Sequence, residues 1–146
     1  MKKKIVILGA GESGAVAAVL AKKNGFDVIY TTYETIHKET KYIDDKKNGI
    51  CTTYHQFSQK VKERYCYKDD EKNGKYNLYN EDGILLIDCE YIHGFISGVY
   101  REFYSNGNVK LYCTFIDGKK HGIEYIYDKY NHKLLKTNYY VYDKLM

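Results

Sequence analysis

Residues 98–122 read GVYREFYSNGNVKLYCTFIDGKKHG, and this stretch decides the fold. Its second half alternates apolar with other residues at a period of two, which indicates a half-buried strand. Four apolar residues share one face of that strand: Val109, Leu111, Cys113 and Phe115. A shorter strand precedes it, and Asn106-Gly107 between them suits the positive φ of a tight hairpin. Asp117-Gly118 supplies a second turn, so the stretch predicts one β-hairpin that leads into another.

The same pattern recurs along most of the chain. Five glycines are spaced 24, 25, 24 and 24 residues apart: Gly25, Gly49, Gly74, Gly98 and Gly122. An aromatic residue follows each glycine by five positions: Tyr30, Tyr54, Tyr79, Phe103 and Tyr127. A second aromatic follows by seventeen, with one inserted residue in the second unit: Tyr42, Tyr67, Tyr91, Phe115 and Tyr139. The third unit repeats the turns as Asp82-Gly83 and His93-Gly94, and the strand as Leu85, Ile87, Cys89 and Tyr91.

The periodicity predicts a mainly β protein, an antiparallel meander of five β-hairpin repeats and about ten strands. The repeat boundaries are 25–48, 49–73, 74–97, 98–121 and 122–146. A lone hairpin has no second layer to bury its apolar face, so the copies must stack. We expect each aromatic set to form a row along the sheet. Tyrosine suits half-buried strands, which accounts for a total of 18.

The unit resembles the MORN repeat, in the variant form found in bacterial and large-virus proteins. The resemblance is clearest at 104–110 and at 117–127, where Asp117-Gly118-Lys119-Lys120-His121-Gly122 precedes Tyr125 and Tyr127. It is good over 74–146 and looser over 25–73. It implies an elongated, twisted sheet that acts as a protein-interaction or membrane-apposed scaffold, with antitoxin components among the relatives. It implies no catalytic residues.

The first 30 residues follow a different pattern, that of a βαβ unit. Residues 4–8 and 26–30 are short apolar strands, and residues 15–23 form an alanine-rich helix between them. The loop before the helix matches GxGxxG, the signature of a phosphate-binding turn. Gly9 suits the tight turn, Gly11 the close approach of a phosphate, and Gly14 the packing of the helix on the strand. We expect the helix to cap the apolar face of the first repeats while the two strands pair in parallel.

Residues 3–28 resemble the beginning of a Mur ligase, the member of that family that adds D-glutamate to UDP-N-acetylmuramoyl-alanine. In that family the loop holds the diphosphate of the uridine nucleotide, so the resemblance implies contacts at Gly9, Gly11, Glu12, Ser13 and Gly14. The family also has an acidic residue after the second strand, where this chain has Tyr30, and an ATP loop GxxGK[ST], which the 146 residues lack. The sequence therefore predicts two parts, a βα segment over 1–24 and repeats over 25–146. Retained nucleotide binding and a gene-fusion artefact are the alternatives to a structural cap.

Charge and cysteine content narrow the function further. The net charge of +4 lies within residues 1–24, and the rest of the chain carries 18 basic and 18 acidic residues, so no concentrated basic face for nucleic acid is expected.

The four cysteines, Cys51, Cys66, Cys89 and Cys113, have neither zinc spacing nor disulfide density, and we interpret them as reduced thiols of a cytoplasmic protein. Lys2–Lys4 before an apolar run resembles a secretion signal, but Glu12 interrupts the run. No segment is long enough to span a membrane as a helix.

The sequence thus predicts a non-enzymatic scaffold that binds a protein, without cofactor or metal. Its five histidines lie mostly in or beside turns, and no catalytic set recurs. Tyrosines on the face opposite the aromatic rows are the candidate partner surface: Tyr76, Tyr100, Tyr104 and Tyr112. Nucleotide binding at the N-terminal loop is the alternative function, and membrane association is a weaker third. The last unit shows no cap beyond Lys144, so its edge is a candidate for pairing with another strand.

Overall fold

The computed structural model describes residues 4–8, 27–32 and 35–146, with side chains from residue 38 onward. Strands occupy most of these residues and form one sheet. The strands are β1 (Lys4–Leu8), β2 (Asp27–Thr32), β3 (Thr35–Ile43), β4 (Lys46–Tyr54), β5 (Val61–Lys68), β6 (Glu71–Tyr79), β7 (Leu85–Ile92), β8 (Phe95–Phe103), β9 (Val109–Ile116), β10 (Lys119–Lys120), β11 (Gly122–Tyr127), β12 (Leu134–Val141) and β13 (Lys144–Leu145). The prediction of a mainly β meander is confirmed.

Sequential strands are neighbours throughout the sheet. From β2 to β13 the pairing is antiparallel, with β10 and β11 both on β9. At the other end β1 pairs with β2 in parallel, Lys4 opposite Asp27 and Leu8 opposite Thr31. The expected parallel pairing of the two N-terminal strands is therefore confirmed, and β2 belongs to both the βαβ pattern and the repeats. The expected helix over 15–23 lies outside the described residues.

The turns along one edge are two-residue turns in which both residues have positive φ, the geometry of type I′. They are Asp44-Asp45, Asp69-Asp70, His93-Gly94, Asp117-Gly118 and Tyr142-Asp143. Each second residue from Asp70 onward donates its N–H to a carbonyl of the preceding unit, as Gly94 does to Lys72 at 2.9 Å. The turn chemistry expected at His93-Gly94 and Asp117-Gly118 therefore also occurs where the second residue is aspartate. Asp70 offsets the strain of a positive φ at a non-glycine residue, because its carboxylate accepts the N–H of Lys47 at 2.8 Å.

Longer loops join the strands along the other edge, and here the prediction of tight hairpins is wrong. Asp82-Gly83 and Asn106-Gly107 lie in five-residue loops over 80–84 and 104–108, in which only the glycine has positive φ. The loop over 80–84 is closed by the Asn80 side chain, which accepts the N–H groups of Asp82 and Ile84. Successive loops also bond to each other, since the Asn106 side-chain amide donates to the carbonyl of Lys129 at 2.8 Å.

The repeat glycines from Gly49 onward have φ between +78° and +103°, which only glycine adopts without strain. Within each tight-turn hairpin, the register of the strand pairing shifts by two residues at the repeat glycine. For example, Cys89 faces Tyr100, but Tyr91 faces Ile96. In the pairing with the strand that follows, Gly49, Gly74 and Gly98 face Tyr67, Tyr91 and Phe115. In the last unit Gly122 faces Tyr140 rather than the predicted Tyr139, because the loop over 128–133 is one residue longer.

The sheet has two different faces, because residues directly opposite each other on paired strands share a face. We call the core face the one that carries the most buried row across the sheet. That row runs through Thr40, Cys51, Tyr65, Tyr76, Cys89, Tyr100 and Cys113. Cys51 and Cys113 are only 0% and 2% exposed. Four members of the second aromatic set, Tyr42, Tyr67, Tyr91 and Phe115, lie on this face, two residues from the row. Tyr139 lies on the other face, opposite Ile123, so the expectation that it continues this aromatic row is wrong.

Four members of the first aromatic set, Tyr54, Tyr79, Phe103 and Tyr127, lie on the other side, which we call the outer face. The side chain of Tyr30 lies outside the described residues. A β-bulge lies next to these aromatic residues. In the fourth unit, Glu102 faces Leu111 and Phe103 faces Val109, so Lys110 is the extra residue of the bulge. This bulge turns Val109 away from Leu111, so the expectation that Val109 shares a face with Cys113 is wrong. Leu85 departs from its alternating set for the same reason, because Tyr79 faces it across a bulge.

Candidate interaction face

The outer face carries a polar row next to the aromatic residues. In strand order the row runs through Glu39, Thr52, Arg64, Asn77, Asp88, Arg101, Tyr112, Tyr125 and Thr137. Asp88 is its electrostatic centre, because Asn77 donates to one carboxylate oxygen at 3.0 Å and Arg101 binds the other. Arg64 and Arg101 remain exposed on either side of this carboxylate. The centre of the face is therefore fixed by hydrogen bonds and flanked by cations.

A cleft of about 350 Å³ opens on the outer face at the fourth and fifth units. Its lining consists of Arg101, Val109, Tyr112, Tyr127 and His132. The aromatic side is built by neighbouring rings, since Tyr125 lies 6.1 Å from Tyr112 and 6.5 Å from Tyr127 between centroids. A cleft with an aliphatic floor, aromatic walls and one guanidinium can hold an apolar side chain with a carboxylate beside it. We call it the distal cleft.

A second cleft, of about 420 Å³, lies two repeats earlier and is called the proximal cleft. Its lining consists of Gln59, Lys60, Val61, Arg64, Tyr79 and Gly83. Val61 and Tyr79 occupy the repeat positions of Val109 and Tyr127, because each valine faces the aromatic of its own hairpin across the same bulge. The repeat therefore places an aliphatic floor and an aromatic wall at two points on one face, and cations from different repeat positions, Arg64 on β5 and Arg101 on β8, lie beside them.

The four tyrosines predicted to form a partner surface do not share a face. Tyr76 and Tyr100 both face Cys89 across the sheet, so they belong to the core row and are half-buried rather than exposed. Tyr104 lies in a long loop, where its hydroxyl bonds to the backbone. Tyr112 is the member that lines a cleft on the outer face. Strict alternation from the hairpin turn misplaced Tyr76 and Tyr100, because the bulge at each repeat glycine shifts the phase.

On the core face the tyrosines are held by charged side chains. The Tyr76 hydroxyl donates to Glu63 at 3.3 Å and the Tyr100 hydroxyl to Glu102 at 3.0 Å. Burial, with these carboxylates, raises the pKa of both phenols above the usual value. The Lys72 ammonium lies over three rings, at 4.9 to 5.4 Å from the centroids of Tyr65, Tyr76 and Tyr91. These rings serve the fold.

The lysine-over-ring contact repeats with the unit. Lys47 lies over Tyr67 at 4.9 Å and Lys120 over Tyr140 at 5.1 Å, at the same repeat position as Lys72 over Tyr91. Before the fourth repeat glycine, Gly98, the lysine position holds Ile96, and the ring that follows in the fourth unit is Phe115. An uncharged residue thus accompanies a ring without a hydroxyl, so the two positions vary together within the chain. The sequence predictions include the rings of Tyr67 and Tyr91 but not that of Tyr140, and they include none of the lysines.

The fifth unit replaces an apolar core residue by a carboxylate. Glu124 is 3% exposed, accepts a hydrogen bond from Asn138 at 2.8 Å and forms an ion pair with Lys120. Burial alone would raise the pKa of Glu124, but the hydrogen bonds from Lys120 and Asn138 outweigh it and hold that pKa below its usual value. The buried charge is therefore paired and satisfied.

The four cysteines are free, and three of them are buried. Burial raises the pKa of the Cys89 and Cys113 thiols to about 11, so both are protonated at neutral pH and unreactive as nucleophiles. Within the described part of the chain, no cluster of His, Cys, Asp and Glu has the arrangement of a metal site. The described residues also contain no helix long and apolar enough to cross a membrane.

Exposed apolar residues also occur on the outer face near the tight turns, and the sequence reading missed them. Examples are Ile92 and Phe95, which face each other at 51% and 58% exposure.

The C-terminal edge is partly capped, because β13 folds back on β12 and the Met146 N–H donates to the carbonyl of Tyr139 at 3.0 Å. This pairing covers two residues of β12, so the prediction that the edge of the last unit can pair with another strand is not tested. The nucleotide-binding candidates Gly9, Gly11, Glu12, Ser13 and Gly14 lie outside the described residues.

Comparison with known proteins gives one short similarity. No family model matches the chain. Over 43 residues it is 54% identical to the UDP-N-acetylmuramoylalanine--D-glutamate ligases of Christiangramia forsetii and Bacteroides fragilis, which is 30% of the chain and 10% of each ligase. The ligase of Bacteroides thetaiotaomicron is 49% identical over 53 residues, 36% of the chain and 10% of that protein. The chain thus spans about a tenth of the curated relatives that it matches, and the similarity is to the N-terminal part of the ligase.

Proposed function

We propose that this chain is a non-enzymatic β-repeat scaffold that binds a partner protein through the outer face of its sheet. One observation carries the proposal: two clefts with equivalent valine floors and tyrosine walls open on the same face, each with a cation in its lining. Apolar pockets beside charged groups are typical of protein-interaction surfaces. The 24-residue period and the bulge at each repeat glycine support the finer proposal of a MORN-like, antitoxin-like repeat protein.

The described residues support the absence of an active site in the repeats. Burial raises the pKa of the Cys89 and Cys113 thiols in the core row, and His93 and His132 are exposed on turns or loops. Neither group is arranged as a nucleophile with a base. Free cysteines in the core support a reducing, cytoplasmic location as part of the same proposal.

The test is a selection of binders from a display library of random dodecapeptides on the intact chain. The selected peptides are then measured against an outer-face variant, Arg64→Glu with Tyr112→Ala, and a core-face variant, Lys72→Met. We expect binding to be lost in the outer-face variant and kept in the folded core-face variant. No enrichment, or equal binding to both variants, would contradict the proposal.

Nucleotide binding is a second candidate, and it has its own support. The 43-residue similarity to the ligases and the parallel pairing of β1 with β2 agree with a phosphate-binding βαβ unit. We propose that UDP-N-acetylmuramoyl-alanine or NAD would bind at the loop over 9–14. Calorimetric titration of the parent and of Gly11→Val separates the outcomes: heat lost in the variant supports the site, whereas equal heats or no heat in the parent contradict it.

Membrane association is a weaker third candidate, because the repeats carry balanced and scattered charges. Co-sedimentation with anionic liposomes tests it. Pelleting of the chain with the liposomes would favour this candidate, whereas recovery in the supernatant would remove it.

A further inference from the structure

The two clefts have a fixed separation along the outer face. Tyr79 lies on β6 and Tyr127 on β11, and four strand-to-strand steps through β7, β8 and β9 connect them. Neighbouring strands are about 4.8 Å apart, so the clefts are about 19 Å apart. The bulges that shape both clefts are part of the hydrogen-bonded ladder. This separation is therefore a property of the sheet.

The linings of the two clefts have the same charge sign. The proximal cleft presents Lys60 and Arg64, and the distal cleft presents Arg101. No carboxylate belongs to either lining as described. Asp88 between the clefts is bound by Asn77 and forms an ion pair with Arg101, so these two charges offset each other. The surplus positive charge therefore lies at the proximal cleft, which favours an apolar group with a negative charge beside it, while the distal cleft offers an apolar pocket.

We propose that the clefts act together and bind an extended acidic segment of a partner protein, which inserts one aromatic side chain into each cleft. An extended chain advances about 3.3 Å per residue, and residues six apart point to the same side, so a spacing of six spans about 20 Å. That span matches the separation of the clefts. The inference rests on the proposed scaffold function and adds the chemistry and spacing of the ligand.

Two joined contacts reinforce each other, because the second forms within one complex at a high effective concentration. Loss of either contact therefore weakens the whole peptide strongly. An aromatic side chain in a pocket is also the residue type that most often dominates an interface. Acidic residues beside the first aromatic lie opposite Lys60 and Arg64 of the proximal cleft.

The experiment uses a fluorescein-labelled peptide, EFETSTEFE, and fluorescence anisotropy with the full chain. We expect it to bind, and we expect three altered peptides to bind about tenfold more weakly or worse. These carry alanine for the second phenylalanine, lysine for each glutamate, or one residue fewer between the two phenylalanines. Equal binding of the parent and the shortened peptide would overturn the spacing.

Protein variants identify the surface. Arg64→Glu affects the proximal cleft and Tyr112→Ala the distal one, and each is expected to weaken EFETSTEFE about tenfold. Ile50→Lys is the matched control, because Ile50 is exposed on the outer face and lines neither cleft. Unchanged binding by both cleft variants, or loss with the control alone, would contradict the proposal.

The outcome is separable from that of the scaffold function. If library-selected peptides bind the outer face but EFETSTEFE does not, the proposed spacing and acidity are wrong and the scaffold function stands. If neither binds, both fail.

Discussion

The core face and the outer face use the same residue type differently. On the core face Tyr76 and Tyr100 are held by carboxylates, and Lys72 covers three rings. On the outer face Tyr79 and Tyr112 line clefts open to solvent. The difference teaches that tyrosine content alone does not indicate a binding surface. A tyrosine belongs to a candidate binding surface when its ring is open to solvent, and to the fold when other side chains of the chain cover or bind it.

The largest expected effect is at the buried carboxylate of the fifth unit. Glu124→Ala removes the partner of Lys120 and Asn138 and leaves a cavity in the core row, so we expect unfolding to require about 3 kcal/mol less. Urea denaturation measures the change. Glu90→Ala is the control, because Glu90 is exposed and paired opposite Lys75 on the outer face. A loss of similar size in both variants would remove the distinction between the faces.

Two repeat glycines separate backbone strain from crowding. A Cβ on Gly122 would lie 2.8 Å from Thr114 Oγ1, whereas a Cβ on Gly98 meets nothing within 4 Å. Both residues have positive φ, which costs an alanine about 1 to 2 kcal/mol. We expect Gly98→Ala to destabilise by about 1 kcal/mol and Gly122→Ala by about 2 to 3 kcal/mol in thermal or urea unfolding. Equal losses would show that crowding at Thr114 is relieved without cost.

The lysine over the core rings has a smaller expected effect. Lys72→Met keeps the aliphatic packing and removes the charge over Tyr65, Tyr76 and Tyr91, at a cost of about 1 kcal/mol in urea unfolding. Lys75→Met on the outer face is the control and is expected to change stability by less than about 0.5 kcal/mol. A neutral result for Lys72 would mean that the ammonium contributes no net stabilisation.

The pH dependence of stability follows from the core groups. Hydrogen bonds hold the pKa of Glu124 below its usual 4.5, so its contribution is present above that pH and is lost as the pH falls through the lower folded value. Burial raises the pKa of Tyr76 and Tyr100 above 10.0, so their contribution is full below pH 10 and is lost as the pH rises further. We expect constant stability from about pH 5 to pH 9 in urea titrations. In Glu124→Gln the acid-side loss should shrink, and an unchanged acid limb would contradict the assignment.

The smallest effect on stability is expected at the proximal cleft. Arg64 is exposed, so Arg64→Glu should change the free energy of unfolding by no more than about 0.5 kcal/mol. The same variant should lose peptide binding. A large loss of stability in urea unfolding would mean that this cleft is part of the folding core.

Much of the fold was predictable from local chemistry. The 24-residue period identifies the repeat glycines, which have positive φ from Gly49 onward, and the alternation in 109–115 identifies a strand with Cys113 on the core side. The two-residue turns were recognised where they contain Gly94 and Gly118. Asp69-Asp70 was not recognised as the same turn, because its geometry depends on a hydrogen bond from the preceding unit.

The candidate site was predictable only in part. Tyr112 was identified, whereas Tyr76 and Tyr100 were placed on the wrong face, since each bulge shifts the alternation by an amount that one sequence does not reveal. Arg64 and Val61 were missed because they become part of a cleft only when Tyr79 of the next unit lies beside them. The lysine at 47, 72 and 120 could have been found, because it recurs two residues before the repeat glycine.

The most direct test of the distinction between the faces is chemical-shift mapping of a bound peptide by NMR. A library-selected peptide or EFETSTEFE is titrated into the isotopically labelled full chain. The account predicts that the resonances of Arg64, Tyr79, Arg101 and Tyr112 shift most, while those of Cys89 and its neighbours in the core row stay in place. Shifts concentrated at Tyr76 and Tyr100 would contradict it, because they would place the binding surface on the core face.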